Sequence, residues 1–150
     1  MAPPPPAPLS NTPEEVAFRA EASAARDHGL PILIQRRSWL GDRFNVAFYN
    51  VSGREIQDIN FELVPYDSTG RVAGPRRSVR FVGPVRLSDS LQYGQREGTQ
   101  EDVWNLPGIS CIEISGLDLT YANGERRRYS FNAVTRMYRE GVEKWCRFAF

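Results

Sequence analysis

The sequence predicts an all-β fold, an antiparallel β-sandwich preceded by one helix and closed by a docked C-terminal tail. Three observations predict it. Apolar residues recur at every second position, as Phe44, Val46 and Phe48 and again as Ile59, Phe61 and Leu63, which puts each set on one face of a strand. Turn residues separate the runs: Asn50-Val51-Ser52-Gly53, Asp67-Ser68-Thr69-Gly70 and Asn123-Gly124. Full helix start and stop signals occur in one long stretch, from Thr12 to Gly29. A length of 150 residues predicts one domain, organised as a proline-rich linker over 1–11, a helix over 12–29 and a sandwich with its tail over 30–150.

The elements follow in order. The run Pro3-Pro4-Pro5-Pro6 favours an extended, left-handed backbone without internal hydrogen bonds, so the N-terminus reads as a stiff spacer. Thr12-Pro13-Glu14-Glu15 starts the helix: Thr12 caps, Pro13 suits the first helical position and Glu15 completes a capping box. His28 and Gly29 close it, and His28 reads as a capping residue. The helix is alanine-rich with a thin apolar stripe, and is expected to lie against the sheet. Leu30 to Trp39 is the first strand. Phe44 to Asn50 and Ile59 to Leu63 are expected to pair as a hairpin across the Gly53 turn. Pro65 is expected to end the second strand or place it at an edge. Arg71 to Val82 reads as a broken edge strand, interrupted by Gly74-Pro75 and ended by Gly83-Pro84. Val85 to Tyr93 is a further strand, 94–102 a polar loop and Val103 to Leu106, with Trp104, an apolar anchor. Along Ile109 to Tyr121 the inward phase changes at Gly116, which predicts a β-bulge. Asn123-Gly124 then turns into a return strand, Arg126 to Phe131, with Tyr129 and Phe131 facing inward. In the tail, Val134, Met137 and Tyr138 fit a short helical turn ended by Gly141. Val142, Trp145, Phe148 and Phe150 are apolar enough to require docking, on the domain or on a partner.

The residues Asn50, Ser52, Gly53, Ile56, Ile59, Phe61, Leu63, Tyr66, Asp67 and Gly70 carry a resemblance. Their spacing resembles small bacterial β-sandwich domains of the FxLYD type and related immunoglobulin-like domains of envelope proteins. The segment Ile114 to Gly124 resembles the last hairpin of such sandwiches. An extra Pro65 before Tyr66-Asp67 departs from the pattern. The resemblance implies an immunoglobulin-like fold and a binding or scaffolding role, and transfers no catalytic residues. Two cysteines, Cys111 and Cys146, leave two readings. A bridge would close a loop of about 35 residues and contribute roughly 2–4 kcal/mol; the alternative is two free thiols acting as small hydrophobes. The resemblance to envelope domains implies the bridge, and with it an oxidising compartment.

Charge and motifs limit the chemistry. A net charge of +1 supplies no general field for nucleic acid or an anionic membrane. No apolar run approaches the ~20 residues of a transmembrane helix. The N-terminus has neither the basic nor the apolar region of a signal peptide. Two explanations fit: a cytosolic protein, or a mature segment whose secretion or lipoprotein leader lay upstream, with the proline tract as the spacer to a lipid tether. A phosphate loop, dinucleotide fingerprint, serine elbow or zinc motif is missing from the sequence, so no cofactor, metal or catalytic set is expected. The candidate contact residues are Arg76, Arg77 and Arg80 on the edge strand and Trp145, Phe148 and Phe150 in the tail, together with the 94–102 loop. The expected function is a non-enzymatic binding or scaffold module of the bacterial envelope, periplasmic or outer-membrane-associated, with a protein partner such as a secretion assembly. The alternative is a cytosolic inhibitor or immunity-type factor. An enzyme would require a carboxylate pair near the 94–102 loop.

Overall fold

The computed structural model describes residues 12–40, 43–85, 95–100, 108–144 and 146. The proline tract, most of the strand expected over Val85 to Tyr93, the Trp104 anchor and the tail residues Trp145, Phe148 and Phe150 lie outside them. Helix α1 (Pro13–Asp27) is followed by strands β1 (Ile32–Leu40), β2 (Arg43–Asn50), β3 (Ile56–Tyr66), β4 (Arg77–Val85), β5 (Gln95–Gln100), β6 (Cys111–Tyr121) and β7 (Arg126–Tyr129), and then by the short helix α2 (Phe131–Thr135). The strands form two antiparallel sheets, ordered β1-β2-β5 and β4-β3-β6-β7. This is an immunoglobulin-like sandwich in which the fourth strand sits beside the third rather than in the sheet of the first.

The inward faces are those the alternation marks. Phe44, Val46 and Phe48 of β2 meet Ile59, Phe61 and Leu63 of β3 from the opposite sheet, all fully buried. Phe48, Phe61 and Phe81 form the aromatic centre, with ring centroids 5.2, 5.8 and 6.0 Å apart. The β6 bulge is present. Glu62 pairs with Gly116 but Leu63 with Ile114, so Ser115 is the extra residue. The bulge keeps Ile112, Ile114, Leu117, Leu119 and Tyr121 on one buried face.

Several expectations are corrected. β2 and β3 do not pair: β2 lies between β1 and β5, and β3 between β4 and β6. The segment between them crosses from one sheet to the other, because Val51 and the Asn50 side chain are drawn into the core instead of capping a hairpin. Gln95–Gln100 is a strand, since six residues of β2 supply it with partners that its polar composition did not announce. Gly83-Pro84 does not end β4, which runs to Val85 as an edge strand. Arg71 to Ala73 contributes a single bridge, Tyr66 to Val72, in place of a strand. Pro65 sits inside β3, beyond its last pair with β4 at Leu63–Arg77, where its missing N–H is required by no neighbour. Phe131 leaves β7 and opens α2, because Ser130 caps that helix by accepting the Ala133 N–H at 3.4 Å; α2 ends at Thr135, before Gly141.

α1 begins as its capping residues specify, with Thr12 Oγ1 accepting the Glu15 N–H at 3.3 Å. Its buried stripe is Phe18, Ala22 and Ala25, and Phe18 meets Tyr49 edge to face at 4.8 Å. Tyr49, Ala47 and Leu33 alternate with the core residues of β1 and β2, so α1 covers the outer face of the three-stranded sheet. The chain after α2 docks along the free edge of β1. Ile34 N–H donates to the Met137 carbonyl at 2.8 Å and Arg139 N–H to the Ile34 carbonyl at 3.1 Å. Arg139 spans to α1, binding Glu21 at 3.1 Å and Gln35 at 2.7 Å. Arg37, only 8% exposed, donates to the Lys144 carbonyl at 3.1 Å and stacks near Trp39 and Tyr138. Cys111 and Cys146 form a disulfide with a Cα separation of 5.9 Å, fixing the tail to the start of β6.

Candidate protein-docking face

The outer face of the four-stranded sheet carries no covering helix among the described residues, and it divides into a polar and an apolar half. The polar half comes from the outward phase of adjacent strands. β3 contributes Asp58, Asn60 and Glu62, β6 Asp118 and Thr120, β7 Arg126 and Arg128, and β4 Arg80. Register places opposite charges side by side. Arg80 pairs bidentately with Asp58, its Nε lying 3.0 and 2.9 Å from the two carboxylate oxygens. Arg128 bridges Asp118 at 2.6 Å and Glu62 at 3.0 Å, and Arg76 reaches Glu62 at 2.9 Å. Ser115, the bulge residue, donates its hydroxyl to Glu62 at 3.1 Å. Burial acts to raise the Glu62 pKa, but the hydrogen bonds from Arg128 and Ser115 and the Arg128 and Arg76 charges together hold it below its ordinary value. A shallow cavity of about 570 Å³ opens over this half, around Asn60, Arg80, Asp118 and Arg128.

The apolar half begins where β3 changes character. After Asp58, Asn60 and Glu62, the next outward positions are Val64 and Tyr66. Val72, 61% exposed, and Phe131, 37% exposed, stand beside them on the 71–76 segment and the start of α2. Together they wall a groove of about 340 Å³. Its polar lining is Arg76, Ser115 and Glu113. Glu113 is half-buried. Desolvation raises its pKa, opposed by the Arg37 charge and by a hydrogen bond from the Cys146 amide. Tyr66 is likewise pushed up by burial and by the nearby Glu113 charge.

Of the residues singled out in the sequence, Arg76 and Arg80 lie on this face, both committed to carboxylates. Arg77 pairs across from Leu63, in the opposite phase. Arg126 and Arg128 share a side, as their spacing requires, while Arg127 alternates away to meet Glu125. The groove residues were not singled out. Their signal was present in the outward phase of β3, polar through Glu62 and apolar from Val64. Glu62 and Glu113 are pushed in opposite directions, a pattern that suits an acid–base pair. Both Glu62 oxygens are occupied, however, by Arg76 and Ser115 on one and Arg128 on the other, which leaves it poorly placed to activate a water. No group of three or more histidine, cysteine or acidic residues able to hold a metal occurs among the described residues. No described helix is long and apolar enough to cross a membrane.

No protein-family model matches the chain, and no curated protein matches it. Among solved structures it is similar to IrmA from Escherichia coli, with 14% identity and a TM-score of 0.50, over 79% of this chain and 96% of that one. At that identity the likeness concerns the arrangement of strands alone.

Proposed function

We propose that this chain is a non-enzymatic protein-binding module that docks its partner on the outer face of the four-stranded sheet. The observation that carries the reading is the asymmetry of the sandwich: α1 covers one outer face, and the other presents ordered ion pairs beside an apolar groove. A central apolar anchor site with a polar surround is the usual anatomy of a protein interface. The partner would be found by a photo-cross-linking residue placed at Asn60 in the native host. A discrete adduct from Asn60 and none from Ala20, exposed on α1, is expected; adducts from both positions, or from neither, would remove the reading.

The finer reading is a module of the bacterial envelope, of the FxLYD-like kind that the turn and core residues resemble, tethered through its proline tract. The Cys111–Cys146 disulfide supports it, because such bridges persist in oxidising compartments. A cytosolic inhibitor or immunity-type factor is the second reading, and the same fold and face would serve it. Protein from the native host, alkylated with and without prior reduction, separates the two. Two thiols labelled only after reduction support the envelope; two labelled without reduction support the cytosol.

A further inference from the structure

We propose that the groove between β3, β6 and the start of α2 is a recognition pocket for one basic side chain, a lysine or arginine of the partner protein, with Glu113 as its counter-charge. The inference rests on the protein-binding reading above and adds the chemistry of the partner at one position. The groove has the two parts that such a side chain needs. Val64, Val72 and Phe131 offer apolar walls for a methylene stem. Glu113 offers a carboxylate, and two aromatic residues, Tyr66 and Phe131, of a kind that attracts cations, line the groove with it. At about 340 Å³ the groove lies at the small end of ligand pockets, which span roughly 300–1,000 Å³, and suits one side chain rather than a large ligand.

Charge complementarity selects the occupant. Arg76 also lines the groove, but its guanidinium is engaged by Glu62, and Arg128 is engaged by Glu62 and Asp118. Those two arginines and two carboxylates offset one another, so among the described residues that line the groove Glu113 is the charge outside a salt bridge. Arg37 offsets it only from within the sandwich, where its guanidinium is directed to the Lys144 carbonyl and stacked near Trp39. A half-buried carboxylate among apolar walls loses solvation without a direct cationic partner. A basic side chain supplies that partner and buries its stem at the same time. An acidic occupant would meet Glu113 with like charge, and a purely apolar one would desolvate it further.

The probes are blocked pentapeptides, Ac-Ala-Ala-X-Ala-Ala-NH2, with lysine, arginine, norleucine or glutamate at X. They are titrated into the oxidised, isotope-labelled chain and followed by amide chemical shifts. Lysine and arginine peptides are expected to move Val64, Tyr66, Ser115 and Phe131 at millimolar concentration, while norleucine and glutamate leave them in place. Glu113→Gln keeps an oxygen to accept the Cys146 amide and removes the charge, and should weaken lysine-peptide binding about tenfold. Val72→Asn changes only an exposed wall residue and should weaken it about threefold. Equal binding of norleucine and lysine peptides, unchanged binding by Glu113→Gln, or no shifts with any peptide up to tens of millimolar would overturn the inference. An Asn60 adduct that persists alongside failed peptide binding would sink the lysine pocket alone. Loss of the Asn60 adduct would remove the docking face itself.

Discussion

Asn50 shows how a single side chain can replace a hairpin. Fully buried, its amide donates to the Arg54 carbonyl at 2.7 Å and accepts the Ser52 N–H at 3.0 Å and the Ser52 hydroxyl at 2.6 Å. It satisfies the polar groups of a turn that must pass through the core edge on its way between sheets, and Gly53 at φ +80° completes the reversal. Asn50→Ala takes the Asn50 oxygen from the Ser52 N–H, while the Arg54 carbonyl keeps the Ser52 hydroxyl at 2.9 Å, and is expected to cost roughly 1–3 kcal/mol in urea denaturation. The two perturbed glutamates make opposite predictions for pH. Glu62 has a lowered pKa in the folded chain, so its contribution is present above its unfolded value and fades as the pH falls through the folded one. Glu62→Gln should therefore flatten the acid limb of the stability curve. Glu113 has a raised pKa, so stability is full below its unfolded value and is lost as the pH rises through the folded one. Glu113→Gln should match wild type near pH 4 and exceed it at pH 7, as read from urea midpoints. A wild type at least as stable as Glu113→Gln at neutral pH would show that the Glu113 charge is fully compensated within the chain.

Among the elements, the tail is the one whose place depends on a covalent bond as well as on packing. Met137 and Tyr138 are buried and Arg139 ties them to α1, while beyond Glu140 the attachments include Val142 packed against the core, the Arg37–Lys144 contact, the hydrogen bond from the Cys146 amide to Glu113 and the disulfide. Opening the 35-residue loop by reduction should cost roughly 3–4 kcal/mol on the chain-entropy account. Hydrogen exchange should locate the effect. The Ile34 amide, bonded to Met137, and the Arg139 amide, bonded to Ile34, should lose protection before the β3 and β6 amides. If all amides weaken together, the tail belongs to the same cooperative unit as the sandwich. The tail also shows what the sequence made legible. Val142, one of the apolar residues expected to dock, packs against the core, and alternation marked the inward side of β2, β3 and β6, including the β6 bulge from one change of phase. Alternation carries no information on which strand lies alongside. β2 and β3, joined by a good turn, read as a hairpin although they face each other across the core. β5 was unreadable for a related reason: its polar residues are held by pairing with β2, a long-range relation with no local mark. The groove was legible only in part, through the polar-to-apolar change along β3, because its other walls come from the 71–76 segment, α2 and β6.

At the scale of the whole molecule, the two outer faces have different work. The face under α1 belongs to the fold: Phe18, Leu33 and Ala47 there are almost wholly buried, and Phe18 packs against both Tyr49 and the Arg139 guanidinium. The open face is held by exposed ion pairs, which in water contribute little each, because solvent screens them and long side chains lose freedom. The Arg128 side chain is 55% exposed despite two carboxylate partners. These conditions predict a contrast between two substitutions. Phe18→Ala removes a buried ring and should cost about 3 kcal/mol, a large part of the roughly 5–15 kcal/mol that holds such a domain folded. Arg128→Ala should cost less than about 1 kcal/mol in the same denaturation experiment. In the cross-linking assay the order should reverse: Phe18→Ala, while still folded, keeps the Asn60 adduct, and Arg128→Ala reduces it. An Arg128→Ala cost as large as that of Phe18→Ala would mean that the charged ladder holds the sheet together, and the open face would then be part of the scaffold rather than the surface a partner meets.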